Sequence, residues 1–339
     1  MIRTLTISLM LLQTLVVTSQ NTVIRGYANM DVRYQEANPN LYFLLGEQDL
    51  FITREITDRI DFLGESVFKY SPQSPTTFNV SLERLIISYN YKGNHSILLG
   101  KHHTPFSYWN DTYHHGRVFF PTAERPLLFS EGLIEYHTTG IAFQGANLGD
   151  YNIGYNVMIG NGIGSQDVLD DNNSKSLTLN LTAKPTHGMK FGLTAYRDHF
   201  SSKARNHHID QHDHDTVKAY DITQMAGGAF FKYKKKKIHI LSEAHLINNN
   251  HDSIGRTMNK SMYAYFGYKI KDSYIPYIKF DYTSIDKAEL FYRGLDTKLL
   301  TLGVAYEFGY LAIAKLEYNR IVTDFRELNS VNLQIAVGF

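Results

Sequence analysis

Apolar and polar residues alternate along most of this 339-residue chain. In SLTLNLTA, Leu177, Leu179, Leu181 and Ala183 fall on one face, and Ser176, Thr178, Asn180 and Thr182 on the other. DYNIGYNVMIG sets Tyr151, Ile153, Tyr155, Val157 and Ile159 against Asn152, Gly154, Asn156 and Gly160. Near the start, Ile24, Gly26, Ala28, Met30, Val32 and Tyr34 oppose Arg25, Tyr27, Asn29, Asp31 and Arg33. At the end, Val331, Leu333, Ile335, Val337 and Phe339 oppose Asn332, Gln334, Ala336 and Gly338. A period of two marks a strand whose faces meet different surroundings. Sixteen such segments are expected, at 22–34, 41–56, 60–70, 77–91, 94–101, 133–145, 150–161, 175–184, 188–199, 217–234, 237–248, 258–270, 274–284, 297–308, 310–321 and 327–339.

The connections add direction. Tight turns are expected at Thr57-Asp58-Arg59, Lys92-Gly93, Asn147-Leu148-Gly149, Thr186-His187-Gly188, Lys234-Lys235-Lys236, Lys271-Asp272-Ser273 and near Gly309, each followed by a longer polar loop. Short turns at one rim and longer loops at the other describe a transmembrane up-and-down antiparallel barrel. A soluble sandwich shares the period, but three features weigh against it. The segments run about 10 to 13 residues, the length that crosses a bilayer at a tilt. The polar face carries ionisable residues in mid-strand, such as Glu65, Lys190, Glu243, Lys279, Asp281, Lys315 and Glu317. A dry core disfavours these strongly, whereas a wet lumen does not. Tyr and Phe gather near segment ends, as in Tyr42, Phe43, Tyr70, Tyr89, Tyr91, Tyr151, Tyr233, Tyr274, Tyr306, Phe308 and Tyr310. Interfacial girdles have this composition.

The opening residues differ from the rest. Arg3 is followed by an apolar run from Ile7 to Val17 and by Val17 and Ser19 at the −3 and −1 positions of a cleavage site. This predicts a signal peptide at 1–19 and a barrel domain at 20–339. Beyond it no stretch of about 18 apolar residues could form a spanning helix. Without Arg3 the 34 Lys and Arg become 33, equal to the 33 Asp and Glu. The chain therefore has no basic field for nucleic acid. With no Cys, thiolate metal sites and disulfides are excluded.

One stretch escapes the alternation. Residues 102–132 form the third long connection, with the only tryptophan, Trp109, and the paired His102-His103 and His114-His115. Ordered loops this long usually have a function. Imidazoles could bind a metal there, or they could hydrogen-bond the loop to its surroundings. Ser107 and His103 offer the parts of a hydrolase, but no G-x-S-x-G motif occurs, and no enzyme and no cofactor are expected. A second histidine cluster, ARNHHIDQHDHD at 204–215, places His207, His208, His212 and His214 among aspartates in the fifth long loop. It is a candidate surface site for Zn²⁺, Cu²⁺ or Ni²⁺ or a solvated loop. The KKKK run at 234–237 reads as an exposed turn.

The terminal SVNLQIAVGF, apolar at every second position back from Phe339, is similar to the C-terminal signal strand of Gram-negative outer-membrane proteins, which the barrel-assembly machinery reads. Sixteen segments, a signal peptide and a long third loop resemble the general porins. HTPFSYWNDTYHHG resembles a motif of porin-like proteins of the Bacteroidota. No PEFGG-like turn, often found in the loop of general porins, is present. The resemblance implies an all-β barrel of about 16 strands in the outer membrane, in contact with its lipid and lipopolysaccharide. It also implies passive diffusion of small hydrophilic solutes or ions, and trimers.

In the resembled family the third loop folds inward and narrows the pore. Tyr108, Trp109, Tyr113, Phe119 and Phe120 are then expected on the inner wall, and Asp111, His114, His115, Arg117, Glu124, Arg125 and Glu131 at the lumen. Arg25, Arg33, Lys101, Lys190, Lys232, Lys279 and Lys315 form an expected basic wall, and Asp31, Glu65, Glu243, Asp281 and Glu317 its acidic counterpart. Gly26 and Ala28 are candidate small residues at a subunit interface. The competing reading is a non-channel barrel acting as a surface receptor or metal-binding protein through the loop 204–215.

Overall fold

A computed structural model describes residues 22–71, 77–114, 116–164, 170, 172–202, 220–292 and 295–339. The expected signal peptide at 1–19 and His115, His207, His208, His212 and His214 lie outside the described residues. Sixteen strands follow in chain order: β1 (Thr22–Gln35), β2 (Asn38–Thr57), β3 (Ile60–Tyr70), β4 (Phe78–Lys92), β5 (His95–His103), β6 (His137–Leu148), β7 (Ile153–Gly160) and β8 (Ser176–Ala183). The second half holds β9 (Met189–Ser201), β10 (Asp221–Lys235), β11 (Ile238–His251), β12 (Gly255–Tyr268), β13 (Tyr274–Ser284), β14 (Thr297–Gly309), β15 (Ala312–Thr323) and β16 (Glu327–Gly338). Each pairs antiparallel with its chain neighbours, and β1 pairs with β16 to close the barrel.

The faces are as the alternation requires. In β12, Met258, Met262, Phe266 and Tyr268 point outward and are exposed, whereas Thr257, Asn259, Ser261 and Tyr263 are buried inside. In β16, Val331, Leu333, Ile335 and Val337 face out, and Asn332 and Gln334 face in. An apolar outside and a polar inside invert the arrangement of a soluble sandwich and suit a surface solvated by lipid. The closed ladder leaves no free sheet edge in that medium.

Both described ends lie at the rim of the tight turns, 58–59, 93–94, 149–152, 184–188, 236–237, 269–273 and 310–311. The lysine run makes the β10–β11 turn, exposed, with Lys236 at φ 52°. The opposite rim departs from the expected alternation of short and long. Three of its connections, 36–37, 252–254 and 324–326, are as tight as the turns. There β2, β12 and β16 pair nearly to the end of their neighbours, as in Gln35↔Asn38 and His251↔Gly255.

Phe339 completes the seam between β1 and β16, which pair from Tyr27↔Gly338 to Gln35↔Ser330. Its N–H donates to Gly26 O at 2.9 Å, and Gly26 N–H donates to Phe339 O at 3.0 Å. The phenyl ring covers Gly26, where a Cβ would lie 2.1 Å from the ring. Gly26 is therefore buried by its own chain, and the exposed Phe339 ring forms the outer surface over it. An aromatic ring over a strand glycine restores the packing that the glycine lacks. A second glycine is required at position 100. Gly100 has φ +129°, and a Cβ there would meet Leu85 O at 1.9 Å.

The third connection, residues 104–136, turns into the barrel, so the main apolar core lies within the lumen. Phe106, Trp109, Val118, Phe120, Leu128, Phe129, Leu133 and Tyr136 of the loop pack against Tyr196, Phe230, Leu241, Tyr263, Tyr265 and Tyr277 of the wall.

Gly100→Ala displaces the Leu85 carbonyl or strains the backbone, at a cost of about 1–3 kcal/mol. A lower transition temperature in the gel-mobility shift of the folded barrel is the expected outcome.

Candidate functional site

The inward loop leaves β5 at His103 and rejoins β6 at His137, two residues paired in register. At its neck Thr104 N–H donates to Tyr136 O at 2.9 Å. It then forms a short helix α1 (Tyr108–Tyr113), a 3₁₀ turn (Arg117–Phe119) and a second short helix α2 (Leu127–Ser130). Ser107 caps α1, accepting from Asn110 N–H at 3.4 Å, and is fully buried in that role.

The loop's backbone groups are answered by wall side chains. Glu243 accepts from Tyr108 N–H and Trp109 N–H, both at 2.8 Å, and from the Tyr263 hydroxyl at 2.5 Å. Glu317 accepts from Ala123 N–H at 2.7 Å and from the Tyr277 hydroxyl at 2.8 Å. Asp281 accepts from Leu127 N–H at 3.1 Å and pairs with Lys279 at 3.0 Å. Lys315 donates to Arg117 O at 2.6 Å and Thr122 O at 3.2 Å. Asp49 accepts from Gly116 N–H at 3.1 Å. A carboxylate placed on N–H groups that have no partner within the loop satisfies them at their strongest.

These contacts give the mid-strand charges a different position from the expected wet wall. Glu243, Lys279, Asp281, Lys315 and Glu317 do face inward, but each is at most 1% exposed, closed off by the loop. Lys101 is likewise buried, donating to Leu82 O at 2.6 Å. Glu65 is 1% exposed and paired with Arg84. Trp109 is buried completely, as the inner-wall packing requires, whereas Phe119 stays partly open. His114, expected at the lumen, is 2% exposed.

Other charges pair across the loop. Glu124 binds Arg33 and, at 3.2 Å, Arg117. Arg117 and Arg125 approach Glu47 at 3.7 and 3.5 Å. Burial alone would raise the Glu124 carboxyl, but Arg117 and Arg33 overcome it and hold it below the usual carboxylate range.

A second set remains wet. Asp111 and Arg25 are exposed. Asp111 shares a cavity of about 690 Å³ with Arg54, Glu55, Asp61, Arg84 and His103. Lys190 lies 5.1 Å from the Tyr108 ring centre and 5.6 Å from that of Phe230. Enclosure by the barrel raises the Asp111 carboxyl above its ordinary range, and Lys190 and Arg84 oppose that rise. A second cavity, of about 560 Å³, opens toward the turn rim beside Lys232, His239, Phe120 and Glu307.

Arg54, Arg84, Glu47 and Asp49 belong to the site and escape a reading by simple alternation. On β4 the cause is a bulge: Glu65 pairs Arg84 and Ser66 pairs Leu82, leaving Glu83 as the extra residue. A bulge re-aims the side chains around it. β2 shifts register three times against its neighbours, between Ala28 and Met30, between Tyr34 and Gln35, and between Glu55 and Thr57.

No protein-family model and no curated protein sequence matches the chain. Solved structures do. OmpT, an outer membrane protein of Vibrio cholerae in trimer form, aligns with TM-score 0.66 at 12% identity, covering 94% of this chain and 99% of that one. The anion-selective porin from Comamonas acidovorans aligns with TM-score 0.65 at 12% identity, over 94% and 99%. The outer membrane channel DcaP of Acinetobacter baumannii aligns with TM-score 0.63 at 13% identity, over 94% and 97%. The likeness is one of fold: this chain is a porin-like closed barrel.

Glu243→Ala removes acceptors from the loop, where hydrogen bonds to a charged group contribute about 1.5–3 kcal/mol each. Because Trp109 is the only tryptophan, its fluorescence reports the loop directly. A red-shifted emission and faster proteolysis within 104–136 are expected.

Proposed function

We propose that the chain is an outer-membrane porin of a Gram-negative cell, a water-filled channel for passive diffusion of small hydrophilic solutes or ions. One observation carries this reading: a loop folded into a sixteen-stranded barrel and anchored by Glu243, Asp281, Lys315 and Glu317. Barrels of this strand number enclose an aqueous lumen. An anchored loop sets its narrowest cross-section, and a loose one could not hold a size limit. The buried position of Ser107 in its helix cap supports a channel over a hydrolase.

Solutes pass beside the wet face of the loop. Asp111 there stands near Arg84 and Lys190, with Arg25 and Arg54 on the adjoining wall. Opposed charges in a narrow passage create a transverse field that orders water and sorts ions. Glu55 and Asp61 line the same cavity and Arg84 is paired with Glu65, so Arg25, Arg54 and Lys190 face Asp111, Glu55 and Asp61, and the preference in sign is weak. A trimer is in keeping with the fold, since OmpT of Vibrio cholerae takes a trimer form.

Protein in a planar bilayer is expected to give stepwise conductance, and deletion of residues 106–120 to increase the step. Absence of conductance at any protein concentration would favour the receptor reading. In a salt gradient, the reversal potential reports the sign of the preferred ion. As pH falls through the raised carboxyl range of Asp111, that charge is lost and the balance shifts toward the basic groups. Anion preference therefore rises on acidification. In Asp111→Asn it is already raised at neutral pH and does not change through that range.

A further inference from the structure

We propose that His103, His114 and His137, with the carboxylate of Glu83, form a binding site for one divalent transition-metal ion of the zinc type. The site lies where the inward loop meets the barrel wall. Its members come from four places in the chain. His103 ends β5, His137 begins β6 directly opposite, and His114 follows α1 as its C-cap. Glu83 is the extra residue of the β4 bulge.

The geometry is close to that of a four-coordinate site. One nitrogen from each histidine lies within 4.8 Å of the other two. The ring centres of His103 and His114 are 4.1 Å apart, those of His114 and His137 4.5 Å, and those of His103 and His137 5.4 Å. Glu83 Oε2 is 2.9 Å from His137 Nε2 and 4.0 Å from His114 Nε2. Zinc holds imidazole nitrogen and carboxylate oxygen at about 2.0–2.2 Å, which places tetrahedral ligand atoms roughly 3.3–3.5 Å from one another. Side-chain shifts of about an ångström bring the present separations to that spacing.

The tautomer of His114 is set for the same purpose. Asn110 donates its amide N–H groups to Thr104 O and Tyr136 O, both at 2.9 Å. Its Oδ1 is thereby left to face His114 Nδ1 at 2.5 Å. An oxygen there requires the ring proton on Nδ1, so a neutral His114 carries its lone pair on Nε2, on the side of Glu83. Metal-binding histidines are held in this way by a partner on the other nitrogen. The side chains of His103, His114, His137 and Glu83 are 8%, 1%, 0% and 9% exposed, so an ion there loses nearly all its water. His103 also borders the 690 Å³ cavity, which provides the route of entry. Imidazole and a single carboxylate suit Zn²⁺, Co²⁺ or Ni²⁺ far better than Ca²⁺ or Mg²⁺.

Of the four loop histidines that the sequence offered as possible ligands, the site takes His103 and His114 and adds His137, and it shares no residue with the cluster at 204–215. A bound ion would tie β4, β5, β6 and α1 together and fix the angle at which the loop enters the lumen.

The test uses the full chain folded in detergent, purified without a histidine tag, with His207, His208, His212 and His214 all changed to Ala. Co²⁺ is the probe, because tetrahedral cobalt absorbs strongly in the visible. One Co²⁺ per chain with that absorption, displaced by Zn²⁺, is expected. His137→Gln and the near-isosteric Glu83→Gln should each weaken Co²⁺ binding about tenfold or more, with Trp109 emission unchanged to show that the loop is seated. A chain that shows no tetrahedral cobalt absorption overturns the proposal. So does equal affinity in both variants with the loop seated.

Discussion

A loop that enters a barrel takes its peptide N–H and C=O groups away from bulk water, and each then needs a partner. The whole inner architecture depends on wall side chains that supply those partners. Glu243 receives the start of α1, Glu317 the turn at Ala123, and Asp281 the start of α2, while Lys315 donates to two carbonyls between them. Apolar packing of Trp109, Phe120 and Phe129 contributes area but no direction. The ionic hydrogen bonds supply the direction, because a carboxylate accepts only from where an N–H points.

This arrangement divides the inward charges into two populations. One is closed off under the loop and acts on backbone. The other, Arg25, Arg54, Arg84, Lys190 and Asp111, faces the remaining space. A charge excluded from water must be matched locally, which is why Lys279 lies beside Asp281. Charges on the remaining space are less closely matched, the Arg84–Glu65 pair excepted, and in the proposed channel they are the ones that shape the field a solute meets. The overall charge balance of the chain therefore says little about that field.

Outside, the constraint is different. Lipid offers no hydrogen bonds, so the ladder must close, and the seam between β1 and β16 is completed by Phe339 on Gly26. The same short ends make three connections on the loop rim as tight as turns. Sequence placed longer loops there, because polar residues such as Asn38 and Asn40 read as loop even when they continue a ladder.

The strands, their lipid-facing sides and the place of the long loop were legible in the sequence by itself. A period of two is a local property that records which medium each side chain meets. It did not disclose which inward charges meet water and which meet the loop, as Glu243 and Asp111 illustrate. Nor did it disclose the bulge that turns both Glu83 and Arg84 toward the interior, since one extra residue reverses the faces that alternation assigns. The grouping of His103, His114 and His137 was likewise hidden. Strand register and the path of the loop bring those rings together, and both are settled by contacts between residues far apart in the chain.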